Sequence, residues 1–119
     1  MTKIALIWAS SNPDKFWNKI LLDLVSKGYI VYPVNPKSKF INDIEVFKNI
    51  SDIKEDIDII NFVTQPEITL LTLKDNKKYL KDKRIWCQPW SSDQKVEKYL
   101  SENNFTNYST NSCIMINKI

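Results

Sequence analysis

The chain has 119 residues, of which 43% are hydrophobic, so we expect one domain with a hydrophobic core over residues 1–119. Its 17 Lys and Arg are well mixed with 14 Asp and Glu, and this net charge of +3 does not indicate a nucleic-acid surface. No apolar run reaches the roughly 20 residues of a membrane span, no secretory signal is visible, and the two cysteines show no disulfide pattern, so we expect a cytoplasmic protein.

The first predicted unit, from Lys3 to Pro36, reads as a strand, a helix and a second strand. The apolar run 4–7 predicts a strand buried on both faces, and residues 9–12 predict a polar loop. Asn12 suits an N-cap, Pro13 the first helical position and Asp14 the first turn. A stripe at helical spacing predicts a core-facing helix surface: Trp17, Ile20, Leu21, Leu24 and Val25. Gly28, the only glycine, suits the end of this helix, and residues 29–34 predict the second strand.

The rest of the chain continues the alternation of strands and helices. A short strand or extended segment with Ile44, Val46 and Phe47 comes first, and a helical turn at 51–54 and a strand at 57–63 follow. The next helix opens at 65–67, with Pro66 at its first position, and is interrupted at 75–78. A strand at 84–88 and a loop at 89–92 come next; Ser91 or Ser92 in this loop caps a helix with Val96, Tyr99 and Leu100, and strands or extended pieces are predicted at 105–108 and 113–116. This order predicts an α/β fold, an open parallel sheet with helices on both faces.

Four loops should meet where the parallel strands end, which is where open sheets of this kind bind ligands: 9–12, 33–39, 64–66 and 88–92. Ordinary turn chemistry explains each loop alone, but their coincidence on one edge favours a binding cleft. The second loop carries Asn35 where NAD sites have an acid, and Lys37 and Lys39 follow, which favours a phosphorylated ribose over a free diol. The two lysines equally suit a solvated turn, and the G-x-G-x-x-G fingerprint is missing.

Several of these stretches resemble the small CoA-binding domain family, stand-alone Rossmann-like relatives of the CoA-binding domain of succinyl-CoA synthetase. The resemblance spans nearly the whole chain, and it is carried by IALIWASSNPDK at 4–15, YPVNPK at 32–37, IWCQP at 85–89 and CIM at 113–115. The PVNP stretch is its most specific part. The resemblance implies a Rossmann-like open parallel sheet and a site for coenzyme A.

The resemblance also implies the residues of that site. Ala9, Ser10, Ser11 and Asn12 would line the phosphate site, with Trp8 beside them and Lys15 on the same rim. Asn35, Pro36 and Lys37 would lie near the nucleotide, and Thr64, Gln65 and Gln88 would border the pantetheine or adenine side. The chain departs from the family pattern at Trp8 and Trp90, where glycine is usual.

The two tryptophans on the predicted ligand edge leave two interpretations open. Trp8 and Trp90 either hold a flat group between or beside their rings, or pack against each other and close an empty cleft. The other two, Trp17 and Trp86, are expected in the core.

No constellation of residues predicts catalysis. Succinyl-CoA synthetase needs a phosphorylated histidine from a second domain, and this chain contains no histidine. Local roles in strands and helix first turns explain Asp14, Asp58 and Glu67, and both Cys87 and Cys113 are expected as buried strand residues, although Cys113 could also form a mixed disulfide with CoA. No metal-ligand spacing is present.

We therefore expect a non-catalytic module that binds CoA or an acyl-CoA. The alternatives are an NADP-type nucleotide binder or small oxidoreductase, and a degenerate domain with a closed ligand site that acts through a protein partner. A homodimer is also compatible with the sequence.

Overall fold

The computed structural model of the chain describes residues 1–8, 16–41 and 43–119. Its strands are β1 (Lys3–Trp8), β2 (Ile30–Val34), β3 (Phe40–Ile41), β4 (Ile44–Glu45), β5 (Ile59–Val63), β6 (Arg84–Cys87) and β7 (Tyr108–Ser109). Its α-helices are α1 (Phe16–Ser26), α2 (Pro66–Asp75), α3 (Lys77–Leu80) and α4 (Gln94–Glu102), and two 3-10 turns cover Ile50–Asp52 and Pro89–Ser91.

Five strands form one parallel sheet in the order β2-β1-β5-β6-β7, and this confirms the parallel sheet that the alternation of strands and helices predicted. The chain moves outward from β1 to β2 and then returns to the other side of β1 at β5. The strand order therefore reverses between β1 and β5, and ligands of open parallel sheets bind near such a switch point. The short β3–β4 hairpin is antiparallel and lies outside this sheet.

Two hydrophobic clusters cover the two faces of the sheet. Alternate residues of β1 point to opposite faces, so Ile4, Leu6 and Trp8 pack with α1, whereas Ala5 and Ile7 pack with α2, α3 and α4. This arrangement confirms the Rossmann-like α/β fold with helices on both faces.

Helix α1 shows where the predicted stripe holds and where it fails. Trp17, Ile20, Leu21 and Leu24 are buried as predicted, but the prediction for Val25 is wrong, because its side chain is 43% exposed. Val25 follows Leu24 by one residue, which turns it about 100° away around a helix of 3.6 residues per turn. Gly28 has φ +89° and follows the helix end, as expected for a left-handed terminator.

Two predictions near the end of the chain are also wrong. Helix α4 is capped by Asp93, whose carboxylate accepts a hydrogen bond from the Val96 N–H at 2.9 Å, and not by Ser91 or Ser92. A carboxylate at this position also complements the helix dipole. Residues 113–116 form a turn and not a strand, so Cys113 is half-buried outside the sheet; Cys87 is fully buried in β6 as predicted.

Within the residues that the structure describes, no helix has the length and apolar character needed to cross a membrane.

Candidate functional site

The strands β2, β1, β5 and β6 end side by side at one edge of the sheet. Their register pairs Ile7 with Val34, Trp8 with Val63, and Phe62 with Cys87. The loops after β2, β5 and β6 therefore leave from one edge, as predicted. The predicted phosphate-loop residues Ala9, Ser10, Ser11, Asn12 and Lys15, together with the helix-start residues Pro13 and Asp14, lie outside the described residues.

Asn35 fixes the loop that leaves β2. Its side chain is fully buried, and its Nδ2 donates to the carbonyl of Trp8 at 3.2 Å. Its Oδ1 accepts a hydrogen bond from the backbone N–H of Lys37 at 2.8 Å, which is the Asx turn that asparagine favours. The loop is thus tied to the end of β1, and Pro36 and Lys37 are held at the surface.

A cavity of about 370 Å³ opens beside this loop. It lies between the ends of β1 and β2, the segment 48–50 and one side of α2. Its lining combines apolar residues with polar and charged ones. The apolar residues are Ile7, Trp8, Val34, Pro36, Ile50, Ile68 and Leu71, and the polar or charged residues are Lys37, Lys48, Asn49, Thr72, Asp75 and Asn76. Among the ion pairs of the described ranges, none involves Lys37 or Lys48. In the described ranges both ammonium groups are thus without an ion-pair partner, and the lining also contains the carboxylate of Asp75.

Thr64 joins the loop after β5 to the loop after β6. Its backbone N–H donates to Ser91 Oγ at 3.1 Å, and its hydroxyl shares a 2.6 Å hydrogen bond with the hydroxyl of Thr69 on α2. Thr64 and Ser91 are both buried. Gln65, the next residue, is exposed at the N-cap of α2 and makes no side-chain capping bond. These contacts hold the two loops in a fixed relation to each other.

Gln88 is fully buried and binds the C-terminal segment. Its Oε1 accepts hydrogen bonds from the Ile114 N–H at 2.9 Å and from Asn61 Nδ2 at 3.4 Å, and its Nε2 donates to Cys113 Sγ at 3.2 Å. Both ends of the amide are thus engaged within the protein. This network accounts for a buried glutamine at the end of β6, and a contact with a ligand stays a prediction.

Trp8 lies in the core between the sheet and α1. Its side chain is 1% exposed, and its ring stacks on Trp17 with centroids 4.5 Å apart and planes 16° from parallel. In the part of the chain that is described, neither indole Nε1 has a hydrogen-bond partner. The Trp90 ring packs edge to face against the ring of Phe16 instead. The interpretation in which Trp8 and Trp90 pack against each other and close the cleft is therefore wrong.

The predicted site residues that lie in the described ranges fall into three groups. Trp8, Pro36 and Lys37 line the cavity. Asn35 does not line it, but its side chain forms hydrogen bonds with the backbone of Trp8 and Lys37. Thr64, Gln65 and Gln88 lie on the same sheet edge but do not line this cavity.

Sequence reasoning missed the far wall of the cavity, which includes Lys48 and the α2 residues Ile68, Leu71, Thr72 and Asp75. Their spacing of three and four residues marks one side of a helix and was the available signal for this wall. For Lys48 the sequence offers no comparable signal.

The ionisable groups of the described residues give little support to catalysis. Burial, with a smaller contribution from the charge of Glu97, raises the pKa of the Cys87 thiol to about 12. A thiol with so high a pKa is a poor nucleophile near neutral pH. No group of three or more His, Cys, Asp or Glu is placed to hold a metal ion in residues 1–8, 16–41 and 43–119.

Comparisons with known proteins agree on the fold. A sequence model described as a CoA binding domain matches residues 2–118. A conserved hypothetical protein from Pyrococcus furiosus is 35% identical, with a TM-score of 0.88 over 98% of each chain. A hypothetical protein from Pyrococcus horikoshii is 28% identical, with a TM-score of 0.82 over 96% of this chain and 79% of that one.

A more distant likeness extends to part of a large enzyme. An acetyl-coenzyme A synthetase from Ca. Korarchaeum cryptofilum, solved with phosphate and ADP, is 20% identical, with a TM-score of 0.71 over 92% of this chain and 26% of that one. At this identity the likeness concerns the fold alone. No curated protein matches the chain.

Proposed function

Because the chain belongs to the CoA-binding domain family, we propose that it is a non-catalytic module that binds coenzyme A or an acyl-CoA at the carboxyl edge of its sheet. The observation that carries this proposal is the cavity beside the β2 exit loop, with two unpaired lysines among its described lining residues.

The cavity fits a nucleotide in size and in chemistry. Its volume of about 370 Å³ lies within the range of small-molecule sites. Lys37 and Lys48 supply positive charge without an internal partner in the described ranges, and lysine binds phosphate as a point charge. Pro36, Ile68 and Leu71 supply apolar surface for a flat base. We therefore assign the phosphorylated ribose to the two lysines and the base to the apolar wall.

Asn35 would prepare this site without touching the ligand. Its two hydrogen bonds, to the Trp8 carbonyl and from the Lys37 N–H, fix the loop before any ligand arrives. A loop that is already ordered loses less conformational entropy on binding, which favours affinity.

The same lysines make an NADP-type nucleotide the second candidate. NADP also carries a phosphorylated ribose, and the chain has Asn35 where an acid would otherwise favour a free diol. The two candidates differ in the rest of the molecule, so direct comparison of the ligands distinguishes them.

Isothermal titration calorimetry with CoA, dephospho-CoA, NADPH and NAD tests the proposal. We expect CoA to bind and dephospho-CoA to bind about tenfold more weakly, because a hydrogen bond to a charged group contributes about 1.5 kcal/mol or more. Lys37→Met and Lys48→Met should each weaken CoA binding by a similar factor. Lys54→Met is the matched control, since Lys54 is exposed and its neighbours Glu55 and Asp56 pair with Lys3 and Lys83 at the opposite edge of the sheet.

Absence of CoA binding by the folded protein would overturn the proposal. Binding of NADPH without CoA would establish the second candidate instead. Equal affinity for CoA and dephospho-CoA, or equal losses in Lys54→Met and Lys37→Met, would show that the lysines do not bind the ribose phosphate. Sedimentation velocity with and without CoA separately tests whether the chain forms a homodimer.

A further inference from the structure

Two exposed aromatic side chains form a pair at the carboxyl edge of the sheet. Phe16 begins α1, and Trp90 lies in the 3-10 turn that follows β6. Their rings meet edge to face, with centroids 4.8 Å apart and an interplanar angle of 83°. Trp90 is 45% exposed and Phe16 is 38% exposed. An aromatic pair held partly in solvent marks a surface that another apolar group can cover.

The turn that carries Trp90 is fixed on both sides. Gln88 and Ser91 are fully buried, and the Ser91 N–H donates to the Gln88 carbonyl at 2.8 Å. Ser91 Oγ also accepts a hydrogen bond from the Thr64 N–H at 3.1 Å. Trp90 is therefore held at the surface by its neighbours, and a ligand that meets it does not have to order the turn.

The spacing of the strands indicates how far a ligand must reach from the exit of β2 to the exit of β6. β2 and β6 are separated by β1 and β5, so their ends lie three strand spacings apart, or about 14 Å. The pantetheine arm has about as many chain atoms as four residues and spans about 14 Å when extended. With the phosphorylated ribose at Lys37, the diphosphate that follows the ribose and the extended arm are together long enough to carry the sulfur to the exit of β6.

We propose that Phe16 and Trp90 form a binding subsite for the apolar acyl group of a CoA thioester, and that the protein binds acyl-CoA with a longer chain in preference to free CoA. This inference rests on the proposed function, because it takes the position of the nucleotide from it. It adds the class of ligand: a thioester whose acyl chain is a hydrocarbon, carried beyond the pantetheine sulfur onto the two rings.

The test is calorimetric titration of the full chain with CoA, acetyl-CoA and octanoyl-CoA. Even partial burial of the octanoyl methylene groups should make octanoyl-CoA bind about tenfold tighter than CoA. Trp90→Ala and Phe16→Ala should each reduce this ratio towards one and leave the affinity for free CoA unchanged. Tyr79→Ala is the control, because Tyr79 is an exposed aromatic residue on α3 beside Lys83, away from this edge.

The failure of this inference differs from failure of the proposed function. If CoA and octanoyl-CoA bind with equal affinity, the subsite does not exist and the CoA site stands. A preference for octanoyl-CoA that survives both Trp90→Ala and Phe16→Ala, or that Tyr79→Ala removes equally, also overturns the subsite. If no CoA species binds to the folded chain, both proposals fall together.

Discussion

Replacement of Trp8 tests whether its indole belongs to the core. Trp8 is 1% exposed and Trp17 2% exposed, and the two rings stack at 4.5 Å. A buried aromatic side chain removes about 200 Å² from water, which corresponds to about 5 kcal/mol at 25 cal/mol per Å². Stacking adds about 1 kcal/mol. The buried Nε1, which has no partner in the described residues, offsets about 1–3 kcal/mol of this gain.

We therefore expect Trp8→Ala to lower the free energy of unfolding by about 3–5 kcal/mol, the range for removal of large aromatic core residues. Trp8→Phe should cost less than half as much, because it keeps an aromatic ring over Trp17 and removes the N–H group that lacks a partner. Urea denaturation followed by circular dichroism measures both changes, provided that the m-value stays constant.

Trp90→Ala is the matched control for this experiment. Trp90 is 45% exposed, so it buries about half as much surface as Trp8, and its loss should cost clearly less than the loss of Trp8. The reasoning is refuted if Trp8→Ala costs no more than Trp90→Ala, which would place the Trp8 indole outside the core. It is also refuted if Trp8→Phe is as damaging as Trp8→Ala, because the buried N–H would then have a partner.

Three further predictions concern the backbone, the thiols and acid stability. Gly28→Ala should cost about 1–2 kcal/mol in urea unfolding through left-handed strain alone, since φ is +89° and no described atom lies within 4 Å of the added Cβ; an unchanged midpoint would contradict this. In the folded protein a thiol reagent at pH 8 should modify Cys113 first and Cys87 only after unfolding, because Cys87 is buried and its pKa is raised to about 12. Cys113→Ser should remove the fast phase of labelling. Fast labelling of Cys87 in the folded protein would contradict its burial in β6. A hydrogen bond from Lys83, and then its charge, lower the pKa of Asp56, so this carboxylate stabilises the fold above its unfolded pKa, and the gain is lost as pH falls through the folded pKa. The difference in unfolding free energy between wild type and Asp56→Asn should accordingly vanish in acid, and a difference that persists there would refute the pairing.

Hydrophobic periodicity predicted most of the fold. The apolar runs of β1, β5 and β6 are buried strands, and the break that was predicted between α2 and α3 is present. The end of the chain could not be predicted in the same way. The Ile114 N–H, which a strand would donate to a neighbouring strand, donates instead to the side chain of Gln88, 26 residues away. A polar contact of this range leaves no periodic pattern in the sequence.

The lining of the cavity was predictable where its residues are close in sequence. Asn35, Pro36 and Lys37 were predicted from one loop and its resemblance to the family, and in the structure Pro36 and Lys37 line the cavity and Asn35 lies beneath it. Lys48 reaches the same cavity because the chain returns after the β3–β4 hairpin, and the Phe47 N–H then donates to the carbonyl of Pro33 at 2.9 Å. This pairing between distant segments is set by tertiary structure, so single-sequence patterns cannot reveal it.

The direction of the Trp8 side chain was, in contrast, within reach of the sequence. Side chains of a strand alternate between faces, so Trp8 must share the face of Ile4 and Leu6. That face carries α1, and Trp8 joins Trp17 there. What alternation could not supply was which helix covers that face, and hence whether the indole meets another side chain or a ligand.

Trp8 and Trp90 occupy positions where the resembling family usually has glycine, yet their consequences are opposite. The Trp8 side chain is buried in the core. It therefore does not fill the cavity at the end of β2, which has a volume of about 370 Å³ and counts Trp8 among its lining residues. Trp90 stays at the surface on a turn fixed by Ser91. The chain therefore keeps an open cavity beside the exit of β2 and presents an exposed tryptophan beside the exit of β6. The proposed nucleotide site depends on the first of these features and the proposed acyl subsite on the second, so Lys37→Met and Trp90→Ala test the two separately.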